Sequence, residues 1–154
     1  MPLINVTLPD GTVNEYASGI TCAEVITDAL GRKHGCLAAR VDGAECDMST
    51  ALEQNCSVEG ILSTSDEGIH ILRHSAAHLL AQAVTALYPG AKPTIGPAID
   101  RGFYYDFAME AITESELKPI QKKMQELARK NFTVERVELS ESELQDHFAD
   151  NPYK

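Results

Sequence analysis

Along the first sixty residues, apolar and polar positions alternate in short runs broken by turn residues, the signature of strands rather than of long helices. Leu3–Leu8 alternates weakly and meets Pro9-Asp10-Gly11, and a second strand is predicted near Thr12–Tyr16. The pattern then changes period. Thr21-Cys22-Ala23-Glu24 has capping-box spacing, so a helix carrying Val25, Ile26 and Leu30 is expected from there to Gly31. Leu37–Val41 and Ala44–Met48 read as strands joined through Asp42-Gly43, and Ser57–Leu62 as a last short strand. The predicted order β-β-α-β-β-β makes residues 1–62 a small sheet curled over one helix.

Ser63-Thr64-Ser65-Asp66-Glu67-Gly68 is small and polar and reads as a linker, 63–68, between two pieces. Beyond it, 69–88 is the strongest helical signal. Ile69, Leu72, Ala76, Leu79, Leu80, Ala83 and Leu87 fall on one stripe, and Pro89-Gly90 ends it. A hairpin is predicted from Thr94–Ile99 and Phe103–Phe107 around Asp100-Arg101-Gly102. The stretch 113–130 is helical by its Leu117, Ile120, Met124 and Leu127 spacing, with Pro119 expected in the first turn or at a kink. Phe132–Leu139 reads as a strand, and Ser140-Glu141-Ser142-Glu143 as the capping box of a short final helix. The fold class is α+β.

Composition narrows the function. The 154 residues are 44% hydrophobic and 23% charged, which excludes a disordered chain. No apolar run is long enough to span a bilayer, and the N-terminus lacks the basic flank and apolar core of a signal peptide, so a cytoplasmic location without membrane contact is expected. The formal net charge of −10 argues against a non-specific nucleic-acid surface. Cys22, Cys36, Cys46 and Cys56 form no C-x-x-C pair, so reduced, mostly buried thiols are expected rather than a zinc ribbon or a disulfide framework.

Three features carry candidate chemistry. In Arg73-His74-Ser75-Ala76-Ala77-His78, the two histidines are four apart, so both imidazoles project from one helix face, with His70 and Gln82 extending the stripe. The wheel sets them away from the leucine stripe, with Ala77 and Ala81 between them as a floor that a substrate could approach. Imidazoles titrating near neutrality can relay protons. Two ligands alone make no zinc site, and Ser75 stands where a metalloprotease needs Glu, so no metal is expected. Second, Ile95-Gly96-Pro97 and Gly102-Phe103-Tyr104-Tyr105-Asp106-Phe107 combine fixed backbone with an aromatic strand, fit either for a pocket wall or for a core strand. Third, 118–136 sets six basic residues against two acidic ones. Lys118, Lys122, Lys123, Arg129 and Lys130 spread over the side opposite the apolar stripe, the best candidate here for phosphate contact.

R-H-S-A-A-H-L-L followed by I-G-P-A-I-D-R-G-F-Y-Y-D-F resembles the N-terminal region of the bacterial threonyl-tRNA synthetases, over essentially the whole chain. The resemblance implies a TGS domain of ubiquitin-like β-grasp fold at 1–62. It also implies the first part of an α+β editing domain, of the threonyl/alanyl-tRNA synthetase type, at 69–154. In that family the editing site hydrolyses serine mischarged onto threonine tRNA, a second sieve required because one methyl gives binding only about 1–3 kcal/mol of discrimination. By this resemblance His74 and His78 are editing-site histidines, Lys154 positions or activates the attacking water, and Tyr105 with Gly96 lines the pocket. Threonine tRNA is the implied partner.

The family's second motif, Cys-x-x-x-His, does not occur here, since no cysteine follows Cys56. The chain therefore reads as an N-terminal fragment, truncated at or near Lys154 and expected to be inactive alone. ATP with Mg and a Zn site are implied only for the catalytic core of the parent enzyme, as is its homodimer contact, and no cofactor is expected in this segment. Two other readings stay open at this point: a stand-alone TGS-containing RNA- or protein-binding adaptor, and an alanyl-type trans-editing hydrolase.

Overall fold

The computed structural model describes residues 2–134 and 136–153. The chain divides into two compact units, residues 1–72 and 73–154. Lys154, expected at the hydrolytic site, lies outside the described residues.

The first unit is built on a five-stranded sheet. Its strands are β1 (Leu3–Thr7), β2 (Val13–Ala17), β4 (Cys36–Val41), β5 (Ala44–Cys46) and β7 (Cys56–Leu62), in the order β2-β1-β7-β4-β5. β1 and β7 run parallel and every other neighbour is antiparallel. Two-residue strands β3 (Ile20–Thr21) and β6 (Ala51–Leu52) pair separately. One helix, α1 (Cys22–Leu30), covers the sheet. Two strands, a helix, then returning strands with a parallel central pair make this a β-grasp, the fold that the resemblance implies, and the sheet lies over one helix as the strand-helix order predicts.

Local chemistry explains the elements. Thr21 Oγ1 accepts from the Glu24 N–H while the Glu24 carboxylate accepts from the Thr21 N–H at 2.9 Å, so the predicted capping box forms and draws the Glu24 carboxyl below its usual range. Asp42 and Gly43 both hold positive φ (48° and 86°), the geometry a two-residue hairpin needs. The Asp42 carboxylate also accepts from the Ser57 N–H at 2.7 Å, tying that turn to β7. The core is Ile4 and Val6 from β1, Cys22, Val25 and Ile26 from α1, and Ala39, Leu52 and Val58 facing them. Each fully buried valine contributes about 1.5–3 kcal/mol. Leu30, expected in this core, is exposed because it lies at the open end of α1.

The polar stretch 63–68 is not a free linker. Residues 63–65 turn, and α2 (Asp66–Leu87) already begins at Asp66. Gly68 is buried so closely against the end of β7 that a methyl group there would run into the Leu62 carbonyl. Arg40 on β4 pairs with both Glu59 and Glu67, which adds a clamp on the start of α2.

The second unit contains the rest of α2, a hairpin, α3 (Glu114–Arg129) and α4 (Glu141–His147). The hairpin forms as predicted but in two short ladders. β8 (Lys92–Pro93) pairs with β11 (Phe107–Ala108), and β9 (Ala98–Ile99) pairs with β10 (Gly102–Phe103) nearer the tip. Thr94 and Asp106 bridge the gap through the Thr94 N–H to the Asp106 carbonyl, at 2.9 Å. Pro97, which cannot donate, stands in the gap between the two ladders.

Four expectations change. The buried face of α2 is Ala77, Ala81, Ala83 and Val84, whereas Leu72 and Leu87 of the predicted stripe are exposed. At 100° per residue, the buried face is rotated by about 80° from the leucine stripe, toward the histidines. Ala77 is 0% exposed, so it and Ala81 are packed rather than left as an open floor. Pro119 falls in the second turn of α3, and the helix continues through it. The Ser115 carbonyl that loses its partner is on an exposed residue, where water satisfies it. Finally, 132–134 and 136–139 form no strand. Their alternating Phe132, Val134 and Val137 are exposed, because a strand needs a partner ladder and a covered face, and neither is present among the described residues. The short final helix does form, capped by Ser140 and Glu143. No described helix is long and apolar enough to cross a membrane.

Gly68→Ala is expected to destabilise the first unit by about 1–3 kcal/mol, through overpacking against the Leu62 carbonyl. Urea unfolding followed by hydrogen exchange in β7 measures it. A midpoint equal to that of the parent would show that the helix start has room.

Candidate functional site

The two histidines meet. His74 Nε2 and His78 Nε2 are 3.0 Å apart, and the rings lie edge to face with centroids 4.7 Å apart. Such a contact requires one nitrogen to donate and the other to accept. It therefore fits a neutral pair or a pair sharing one added proton, and not two imidazolium ions. Both side chains are exposed. Because the buried face of α2 is rotated toward them, they stand beside the packed Ala77 and Ala81 rather than opposite the core.

Arg73, unmarked by any periodic signal in the sequence, fixes the strands next to this pair. Its Nη1 donates to the carbonyls of Asp100 at 2.7 Å and Ile99 at 3.3 Å, so the residue before His74 holds the hairpin tip. Farther down the hairpin, Tyr105 and Gly96 are brought together as a second pair. A methyl group on Gly96 would overlap the Tyr105 ring, so the position needs glycine for close approach of the aromatic ring to backbone. Phe107 stacks with Tyr105 at 5.0 Å between centroids, with an interplanar angle of 29°. Alternation had placed Tyr105 and Phe107 on one face, and they share it.

The basic residues of α3 divide into two groups. Lys118, Lys122 and Arg129 lie within roughly 40° of one another on the wheel, facing away from buried Ile120. They form a single exposed line about 16 Å long at 1.5 Å per residue. Lys123 and Lys130 are diverted: Lys123 pairs with Glu126 at 3.6 Å, and the Lys130 ammonium lies over the Phe132 ring, 5.5 Å from its centroid. Exposed pairs of this kind are weak, about 0–1 kcal/mol, so they compete poorly with a bound phosphate.

A link between α2 and α3 also escaped the sequence reading. Tyr88 donates its hydroxyl to Glu116 Oε1 at 3.0 Å, while Glu116 Oε2 accepts from the Thr113 N–H at 2.7 Å. The Thr113 backbone bond, with help from Tyr88, holds the Glu116 carboxyl below its usual range. Burial and then the Glu116 bond push the Tyr88 hydroxyl up. Around it lies the core of this unit, Ala83, Val84, Ala91 and Ile120, with Tyr88, Phe107 and Met124 against them. Among the described residues no three His, Cys, Asp or Glu side chains converge as metal ligands.

The chain is similar to known proteins. The TGS domain family matches residues 4–61. The threonine–tRNA ligase of Pelobacter propionicus is 46% identical over 97% of this chain and 24% of its own length. Threonine–tRNA ligase 1 of Bacillus subtilis is 41% identical over 96% of this chain, and the Staphylococcus carnosus ligase 38% identical over 100%. The chain spans about a quarter of the length of the curated relatives it matches.

Because the Glu116 carboxyl is depressed in the folded state, it contributes stability above the ordinary glutamate range, and that contribution is lost as pH falls through the folded value. Glu116→Gln is therefore expected to lower the Tm at neutral pH and to approach the parent Tm under acid conditions. A Tm difference that stays constant with pH would remove the charge from this role.

Proposed function

Since this chain belongs to the threonine–tRNA ligase family, matching the N-terminal segment of its members and carrying their TGS domain, we propose that it supplies tRNA contacts and part of a hydrolytic site that removes serine mischarged onto threonine tRNA. The observation that carries the second half of this reading is the His74–His78 pair, held nitrogen to nitrogen at 3.0 Å on the same α2 face. Hydrolysis of an aminoacyl ester needs a base to take a proton from water and an acid to return one to the leaving ribose oxygen. A hydrogen-bonded imidazole pair can hold that proton between two nitrogens. Tyr105, pressed onto Gly96, supplies a flat wall for the aminoacyl-adenosine end. Lys154 is assigned to positioning the water by resemblance alone.

The exposed line of Lys118, Lys122 and Arg129 supports a phosphate track for the tRNA backbone, since its charges face outward and are not matched by carboxylates on the same line. Lys123 and Lys130 join it when their weak surface partners are displaced. ATP with Mg and a Zn site are implied by the family for the ligating core of the parent enzyme, and no step of this segment is routed through them. The reading gives the isolated chain no turnover of its own, because the Cys-x-x-x-His half of the family pattern is not in it.

In a full-length ligase carrying this segment, His74→Ala or His78→Ala is expected to slow seryl-tRNA deacylation by about 10²–10⁴-fold while leaving threonylation intact. Reversing Lys118, Lys122 and Arg129 to Glu is expected to weaken tRNA binding and to reduce its salt slope by about 2–3. Unchanged deacylation would remove the histidines from the hydrolytic site, and an unchanged salt slope would remove the α3 line. Seryl-tRNA turnover by the 154-residue chain alone would overturn the assignment of a half-site.

A further inference from the structure

The cysteines of the first unit have no part in the chemistry above, and two of them touch. Cys22, the first residue of α1, is buried, and Cys46, the last residue of β5, is half-buried. Their sulfurs are 3.8 Å apart. That is van der Waals contact, and a disulfide bond requires about 2.05 Å. β5 is the edge strand of the sheet, paired only to β4, so its end is the part of the sheet that can move by this amount at least cost. We propose that Cys46 is a modification site for peroxide, resolved by Cys22 into a disulfide that staples β5 to the start of α1.

The steps balance. The Cys46 sulfur attacks one oxygen of hydrogen peroxide, an S–O bond forms as the O–O bond breaks, and the displaced hydroxide leaves as water with the thiol proton. The Cys22 sulfur then attacks the Cys46 sulfenic acid, forming S–S and expelling hydroxide, which takes the Cys22 proton to become a second water. Two thiols are oxidised and one peroxide is reduced. Burial, with Cys46 and Cys56 close by, pushes the Cys22 thiol up to about 12, which makes it the slower sulfur: it resolves the sulfenic acid held against it through its minor thiolate, its proton going to the expelled hydroxide, rather than meeting peroxide first. Cys36 stands apart, its sulfur over Gly60 and 3.9 Å from the His34 carbonyl oxygen. Cys56 is the competing partner, since it packs against the same core as Cys46.

The test uses the 154-residue chain, reduced, exposed to hydrogen peroxide, alkylated with iodoacetamide and digested with trypsin plus a glutamate-specific protease. Cleavage at Glu53 separates Cys46 from Cys56. The expected product is a dithiothreitol-reversible Cys22–Cys46 peptide, with Cys36 and Cys56 alkylated and a Tm that rises on oxidation. Cys46→Ser, on a half-buried position, should fold, lose the cross-link and lose the Tm rise, whereas Cys56→Ser should keep both. A Cys46–Cys56 or Cys22–Cys56 link, a sulfinic acid at Cys46 without a link, or thiols that survive peroxide able to oxidise glutathione would each overturn the proposal.

Discussion

The second unit depends on how closely other chain can approach α2, and alanine sets that distance. Ala77, Ala81 and Ala83, with Val84, form its buried face, and Ala83 and Val84 share a small core with Ala91 and with Ile120 of α3. Interiors are packed to crystal density, so removing side-chain volume from one helix draws its neighbours inward. Larger side chains would hold them off and leave voids. The leucines that dominate a hydrophobicity count, Leu72 and Leu87, are consequently the ones left outside. Rotating the buried face this way also carries His74 and His78 from the far side of the helix to the margin of the packed face. There Arg73 ties down the hairpin tip.

This explains which parts were legible in the sequence. Features decided within four or five residues were readable: the Thr21–Glu24 and Ser140–Glu143 caps, the Asp42-Gly43 turn, and the His74–His78 spacing. Their energetics are local, so the residue types at fixed offsets are sufficient. Features that depend on a distant partner were not. Ile20 and Leu52 form a ladder across the unit that neither stretch signals alone. The same blindness runs in reverse at 132–139, where strand-like alternation finds no ladder among the described residues and stays exposed.

Within the candidate site the division is similar. Spacing marked out the histidine pair and the basic helix, while Gly96 and Tyr105 were assigned a pocket role by resemblance. Yet nothing in one dimension says that Gly96 lies under the Tyr105 ring, or that Tyr88 reaches Glu116. Charge shows the limit most plainly. A net −10 suggests a chain that avoids RNA, yet the acidic residues are spread over turns, caps and ion pairs. Three of those carboxylates, Glu24, Glu116 and Glu143, accept from backbone donors at helix starts, and none of them lies on the Lys118–Lys122–Arg129 line.

The two units therefore meet the same requirement, a fixed surface, by different means. In the first, a parallel central pair of strands and a helix bury valines and isoleucines, and two thiols sit in contact at 3.8 Å where the edge strand meets the helix start. In the second, the buried area is small and alanine-rich, so hydrophobic burial alone stabilises it less. Polar connections make up the difference: Arg73 to the hairpin tip, Tyr88 to Glu116, Asn151 to the Pro93 carbonyl at 3.0 Å. Such directional bonds fix geometry more strongly than they add stability. A surface that holds two imidazoles nitrogen to nitrogen at 3.0 Å gains more from fixed geometry than from a deeper core.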